Sequence, residues 1–199
     1  MSHSRLAAGK GPVSGSVAPQ ARLDRLAYDA VMAPTYTLEQ LNDMEAIRRL
    51  KYRYLRALDQ KLWDVLATCL TEDATAAYSA GKYRKEGRAA IVDWISDAMG
   101  AETFLSSHRC HHPEIELTGP DTATGVWALE DVVIIEDLGI TVQGAAFYTD
   151  EYRRVDGDWK IAATGYRRTY EEIFPRASIE GLDLTASWWG TGGASNLDA

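Results

Sequence analysis

Between residues 103 and 170 the chain carries four long strand-like runs, about 103 to 118, 122 to 136, 140 to 154 and 159 to 170, parted only by TGPDT, EDLG and VDGD. Gly, Asp and Pro supply the backbone conformations of tight turns, so each run must double back on the one before it. Short turns between long strands mean antiparallel pairing, because a parallel return needs a crossover of a dozen residues or more. A sheet of that length twists and curls where helices cover only part of it, and its concave face is a natural pocket. Residue parity along each strand then decides which side chains face that pocket.

The helices come first in the chain. In TLEQLNDMEAIRRLKYRYLRALDQ, Thr37 and Gln40 have the form of a capping box, and Leu41, Met44, Ile47, Leu50, Tyr54 and Leu58 repeat at helical spacing. Leu62, Val65, Leu66, Cys69 and Leu70 suggest a second, shorter helix. TEDATAAYS is strand-like and ends at the Gly of SAGK; GRAAIVDWISDAM returns to helix with Ala90, Ile91, Trp94, Ile95 and Ala98 on one side. Helices followed by an antiparallel meander give an α+β domain with the helices on one face of the sheet. Residues 1–34 divide off as an N-terminal tail, with a possible short helix in ARLDRLAYDAVMA at 21–33 before Pro34. Residues 35–174 are read as the domain and 175–199 as an irregular extension, in which Trp188 and Trp189 are expected to cover something apolar.

Charge and composition narrow the partners. A net charge of −8 with no Lys/Arg-rich run repels phosphate backbones, so no nucleic acid is expected. No apolar run reaches the roughly 18 residues that span a bilayer, and MSHSRLAAGKGPVSGS lacks the apolar core of a signal peptide. No membrane partner and a cytoplasmic location are the corresponding expectations. Two cysteines, Cys69 and Cys110, make no disulfide framework and read as small buried residues.

The polar residues on the inward parity are the candidate site. SSHRCHHPEIEL holds three of the four histidines, and alternation puts Ser106, His108 and Cys110 on one face and Ser107, Arg109 and His111 on the other. Three zinc ligands would need His108, His111 and His112 to converge across that alternation, so no metal is expected. Pro113 marks a bulge or break, which pushes His112 toward extended geometry at the rim. Tyr54 is either a core tyrosine with a satisfied hydroxyl or a donor into the pocket, and Asp59, at the end of the first helix, is either a loop-start aspartate or a pocket carboxylate. In TATGVWALEDVVII, Asp131 shares an apolar row with Trp127 and Leu129, while Glu130 reads as exposed. Arg167 shares parity with Trp159 and Ile161 and is the better pocket arginine; a bulge near Gly165 would exchange it for Arg168. Trp127 and Tyr148 stand as aromatic walls that bind substrate, with Arg168 beside them.

The order of a long helix with YxxxxD, short helix, strand, helix, histidine strand and three further strands resembles the SnoaL-like branch of the NTF2-like superfamily, from about Thr37 to Tyr170. SHRCHHPEIELTGPDTATGVWALED and DWKIAATGYRRTYEE are the segments most similar to it, and bile acid 7α-dehydratase and scytalone dehydratase are relatives in that branch. The resemblance implies a cystatin-like cone, a curved antiparallel sheet wrapped around helices with a pocket at its open end. It also implies catalytic roles for Tyr54 and Asp59, at YxxxxD, for His108, for Asp131 and for Arg167 or Arg168. Arg109, Cys110 and His111 depart from the apolar residues usual there.

The expected function is a cofactor-independent lyase, most simply a dehydratase, using His/Asp acid–base chemistry on a hydrophobic cyclic or aromatic hydroxy compound. A retro-aldol or deformylating lyase on an aromatic diol, an isomerase or a polyketide cyclase would use the same pocket, and a non-catalytic ligand-binding protein is a different class. One sheet face is left for a partner, so a homodimer or homotrimer is expected, with the Trp pair either at that contact or over the pocket.

Overall fold

The computed structural model describes residues 35–197; the tail and the short helix read at 1–34 lie outside the described residues. Helix α1, Leu38–Asp59, begins at the capping box: Thr37 Oγ1 accepts from the Gln40 N–H at 3.2 Å, and Gln40 Oε1 accepts from the Thr37 N–H at 2.9 Å. Its stripe of Met44, Ile47, Leu50, Tyr54, Leu55 and Leu58 is buried, whereas Leu41, in the first turn, stays exposed. Helix α2, Trp63–Thr68, is shorter than its apolar pattern, because Cys69 and Leu70 already belong to the passage into β1, Leu70–Tyr78. After β2, Tyr83–Glu86, and α3, Arg88–Met99, come β3, Phe104–Leu117; β4, Thr122–Ile135; β5, Ile140–Val155; and β6, Asp158–Pro175.

The strands form one sheet in the order β2-β1-β6-β5-β4-β3. The four long strands pair antiparallel in sequence, as their short turns require, while β1 joins β6 in parallel through the crossover that the helical region provides. Strand β6 runs five residues beyond the expected end at 170, pairing Ile140 with Pro175. Helix α1 packs on β3 and β6, and α3 on β1. No helix among the described residues is long and apolar enough to cross a membrane.

Three irregularities reset the side-chain faces. In β3, His112 and Pro113 together oppose Trp127, between the pairs His111↔Ala128 and Glu114↔Val126. His112 takes φ of +46°, the left-handed region, and not the extended geometry expected before a proline; the bulge supplies the constraint. In β6, Ala162 is an extra residue between Ile161↔Tyr152 and Ala163↔Glu151, and Thr169 is another between Arg168↔Ala146 and Tyr170↔Ala145. Past Ala162 the inward residues are therefore Thr164, Tyr166 and Arg168, of opposite parity to Trp159 and Ile161.

One charged residue sits inside the apolar stripe of α1. Lys51 is fully buried, its Nζ 2.8 Å from Asp150 Oδ2 and 3.5 Å from the centroid of the Tyr148 ring. Asp150, also fully buried, accepts from the Tyr152 hydroxyl and from Thr164 Oγ1, both at 2.7 Å, and Tyr152 in turn accepts from the Trp127 indole at 2.8 Å. A lone buried charge is far more costly than a paired one, so this network ties α1 to β4, β5 and β6.

The C-terminal extension returns to the domain. Trp189 lies over the Lys61 ammonium, 4.1 Å from ring centroid to Nζ, and that ammonium also donates to the carbonyls of Met99 at 2.8 Å and Phe104 at 2.7 Å. Of the tryptophan pair, Trp189 thus lies over a cation, while Trp188 remains exposed.

Lys51→Met is expected to destabilise the fold by about 3–5 kcal/mol in urea denaturation, since it strands Asp150 without a cation. The double variant Lys51→Met/Asp150→Asn should recover at least half of that loss, because no buried charge is then left.

Candidate active site

The last residue of α1 and the middle of β3 meet at one carboxylate. Asp59 accepts three hydrogen bonds from β3: from Ser106 Oγ at 2.8 Å, from the His108 backbone N–H at 2.9 Å, and at Oδ1 from His108 Nδ1 at 2.6 Å. A carboxylate at a helix C-terminus faces the negative end of the dipole, and three donors offset that disadvantage. An ionised carboxylate can only accept, so a neutral imidazole here keeps its proton on Nδ1 and presents the Nε2 lone pair. The His108 side chain is 10 % exposed and that of Asp59 21 %, enough for a small molecule to reach them. A cavity of about 370 Å³ does so along the seam between α1 and β3, lined by Tyr52, Leu55, Arg56, Asp59, Gln60, His108 and Cys110.

Beside this pair lies a second charged group. Asp131 faces inward directly opposite His108 in the β3–β4 ladder. It is held by both Nη atoms of Arg168, Nη2 at 2.8 Å, and Glu171 Oε2 lies 3.1 Å from Arg168 Nε. Half-burial disfavours the guanidinium charge, but Asp131 outweighs it and holds the Arg168 pKa above its ordinary value. Of the two carboxylates that could orient His108, the structure therefore joins Asp59 to it and gives Asp131 to Arg168.

Other candidates fall elsewhere. Arg167 is exposed on the outer sheet face opposite Phe147, because the bulge at Ala162 reverses the parity that favoured it; Arg168 takes the inward place. Trp127 and Tyr148 do not form substrate walls: both are buried to 2 % exposure or less, Trp127 beneath Tyr52 and Tyr148 beneath the Lys51 ammonium. Tyr54 is 1 % exposed and its hydroxyl is paired with that of Tyr78 at 2.8 Å, so the core alternative describes its position. Burial pushes the Tyr54 and Tyr148 phenols well above their ordinary pKa, and the neighbouring tyrosines add to the effect. Tyr166, half-buried and stacked near Arg168, and Trp94, stacked on Tyr78, are the more accessible rings on the inner side. His111, on the outer face, comes within 4.0 Å of Glu130, which is exposed as expected.

Three positions that hold this arrangement in place had no role read for them from the sequence. Ser106 was on the correct face but carried no signal beyond its parity with His108. Lys51 falls at the spacing of Ile47, Tyr54 and Leu58, and Asp150 at that of Tyr148 and Tyr152; a charge in each apolar row was the available sign.

A family model for the SnoaL-like domain matches residues 39–164. The chain belongs to the SnoaL-like family. An uncharacterised protein of Mycobacterium tuberculosis is 24% identical over 130 residues, 63% of this chain and 84% of that protein. Among solved structures, a protein named as a scytalone dehydratase from Novosphingobium aromaticivorans superposes with a TM-score of 0.62 at 23% identity, over 66% of this chain and 87% of its own. Hexachlorocyclohexane dehydrochlorinase LinA-type3 from Novosphingobium barchaimii gives 0.59 at 22%, over 82% and 97%. An NTF2-like protein with a cystatin-like fold, also from N. aromaticivorans, gives 0.54 at 21%, over 78% and 92%. These likenesses show the NTF2-like fold for this SnoaL-like chain.

Cys110, two residues beyond His108 and lining the same cavity, has its thiol pushed up to about 11 by burial. Relative to an ordinary thiol of about 9, its thiolate fraction at pH 8 is lower by about a hundredfold, and thiolate is the reacting form. Iodoacetamide labelling followed by peptide mass spectrometry should therefore be slow at Cys110 at pH 8 and rise about tenfold per pH unit through pH 10.

Proposed function

We propose that this SnoaL-like protein is a cofactor-independent lyase, a dehydratase, acting on a hydrophobic cyclic or aromatic hydroxy compound. The observation that carries the reading is the Asp59–His108 pair at the cavity, with Nδ1 held by the carboxylate and Nε2 left as a base. His108 Nε2 takes the proton from the carbon next to an activating carbonyl, and Asp59 stabilises the imidazolium so formed. The hydroxyl on the neighbouring carbon then leaves with that same proton: one C–H and one C–O bond break, a C=C bond forms, water departs, and His108 returns to its starting state. Arg168, in place of Arg167, stays paired with Asp131, the residue opposite His108 in the ladder, and acts through the fixed field of that pair and not by receiving the substrate oxygen. Tyr54, bonded to Tyr78 in the core, takes no part in this step.

Two structural neighbours, one named as a scytalone dehydratase and the other a dehydrochlorinase, carry names of eliminating enzymes, which supports elimination over isomerisation or ring closure for this fold.

His108→Ala should lower turnover of a β-hydroxy ketone panel by about 10²- to 10⁴-fold, with the urea midpoint of unfolding unchanged. Asp59→Asn should act in the same direction, because it sets an amide donor against the donors of β3 and removes the charge that steadies the imidazolium. Product mass decides the reaction: loss of one water supports dehydration, loss of a one-carbon aldehyde means deformylation, and an unchanged mass means isomerisation or binding alone. Full turnover in His108→Ala overturns the assignment.

A further inference from the structure

The cavity wall bears a charge that the elimination does not use. Arg56 lies in the last turn of α1 between Leu55 and Asp59, exposed, and its side-chain partner is Gln60 Oε1 at 3.4 Å. Among the described residues it makes no ion pair, and its neighbour Asp59 is turned away into three hydrogen bonds with β3.

The other cations near the site are spent. Arg168 is clamped between Asp131 and Glu171, Lys51 sits on Asp150, and Lys61 is held by two carbonyls under Trp189. A ligand carboxylate would have to break one of those pairs to be received by them, and a guanidinium already bonded through both Nη atoms has little to offer. Arg56 can receive an anion at no such loss.

Arg56 also ends a row. Arg49 and Arg53 precede it by seven and three residues, on the same side of the helix, exposed and likewise without an ion pair among the described residues. They line a second cavity of about 300 Å³ together with Lys160 and one carboxylate, Asp158. In a protein of net charge −8, a line of positive charge leading to one cavity focuses the field there and draws in anions. Tyr52 and Leu55 give the same cavity an apolar wall, opposite Cys110 and His108.

We propose that Arg56, assisted by Gln60, binds a carboxylate on the substrate, so that the substrate is an apolar cyclic acid. Its flat body lies between Tyr52 and Leu55 on one side and Cys110 on the other, which brings a ring carbon to His108. The planar fork of arginine matches a carboxylate with two parallel hydrogen bonds, and the bound end fixes the orientation of the reacting end. This assignment of the substrate rests on His108 as the base.

The test compares two probes of the same shape, 1-naphthoate and 1-naphthol, by isothermal titration against the full chain. The native protein should bind 1-naphthoate about three- to tenfold more tightly than 1-naphthol, an advantage that shrinks as salt is raised. Arg56→Gln should remove the advantage without changing 1-naphthol binding, and Arg56→Lys should keep part of it. Equal affinity for the two probes, an unchanged ratio in Arg56→Gln, or no binding of either probe overturns the proposal. His108→Ala separates the two readings: it should retain the preference for 1-naphthoate while losing turnover. A retained preference with retained turnover would remove the base and leave the carboxylate site standing.

Discussion

An ammonium group sealed from water must have a carboxylate, and the burial of Lys51 against Asp150 fixes how α1 lies on the sheet. Because Asp150 is also bonded to Tyr152 and Thr164, the helix cannot roll or slide without breaking a network that spans three strands. Asp59 lies eight residues further along the helix, about 12 Å at 1.5 Å per residue. The position of its carboxylate at Ser106 and His108 is therefore inherited from a contact buried two turns earlier. A rigid helix delivers the orienting group and a paired strand delivers the base, so neither half of the pair depends on a loop.

The sequence made the element order and the inward row of β4 legible, because period-two alternation there is uninterrupted from Ala123 to Val133. The same rule placed Ser106, His108 and Cys110 together, before the β3 bulge begins. It failed in β6, where Ala162 adds one residue and moves every later side chain to the opposite face. Nothing in IAATG announces which of its small residues is the extra one, so Arg167 and Arg168 could be told apart only in three dimensions. Trp127 and Tyr148 show a different limit. Parity said that they point inward, and they do, but it cannot say that Tyr52 and Lys51 already occupy the space in front of them. The parallel contact of β1 with β6 was equally hidden, since it joins segments about ninety residues apart through no local signal.

Charge in this molecule is divided by depth. Toward the sheet, each cation near the histidine has its own acceptor, and the polar groups there hold one another in place. Such groups act as fixed dipoles, able to respond to a developing charge without being displaced by one that arrives. On the outer side of α1, Arg49, Arg53 and Arg56 are exposed and make no ion pair among the described residues, which suits recognition of a molecule that comes from solution. The seam between α1 and β3 is where the two regimes meet.

Strand β3 is the edge of the sheet, fourteen residues long, and an open edge of that length is a template on which another chain can add a strand. The left-handed His112 and the following Pro113 spoil that template at mid-length: the bulge turns the backbone out of line and the proline has no N–H to offer. Arg109, Glu114 and Glu116 add charge along the same strand. Intermolecular β-pairing is thus opposed by an interruption that begins four residues beyond His108, and the regular pairs that hold the base in place are left whole.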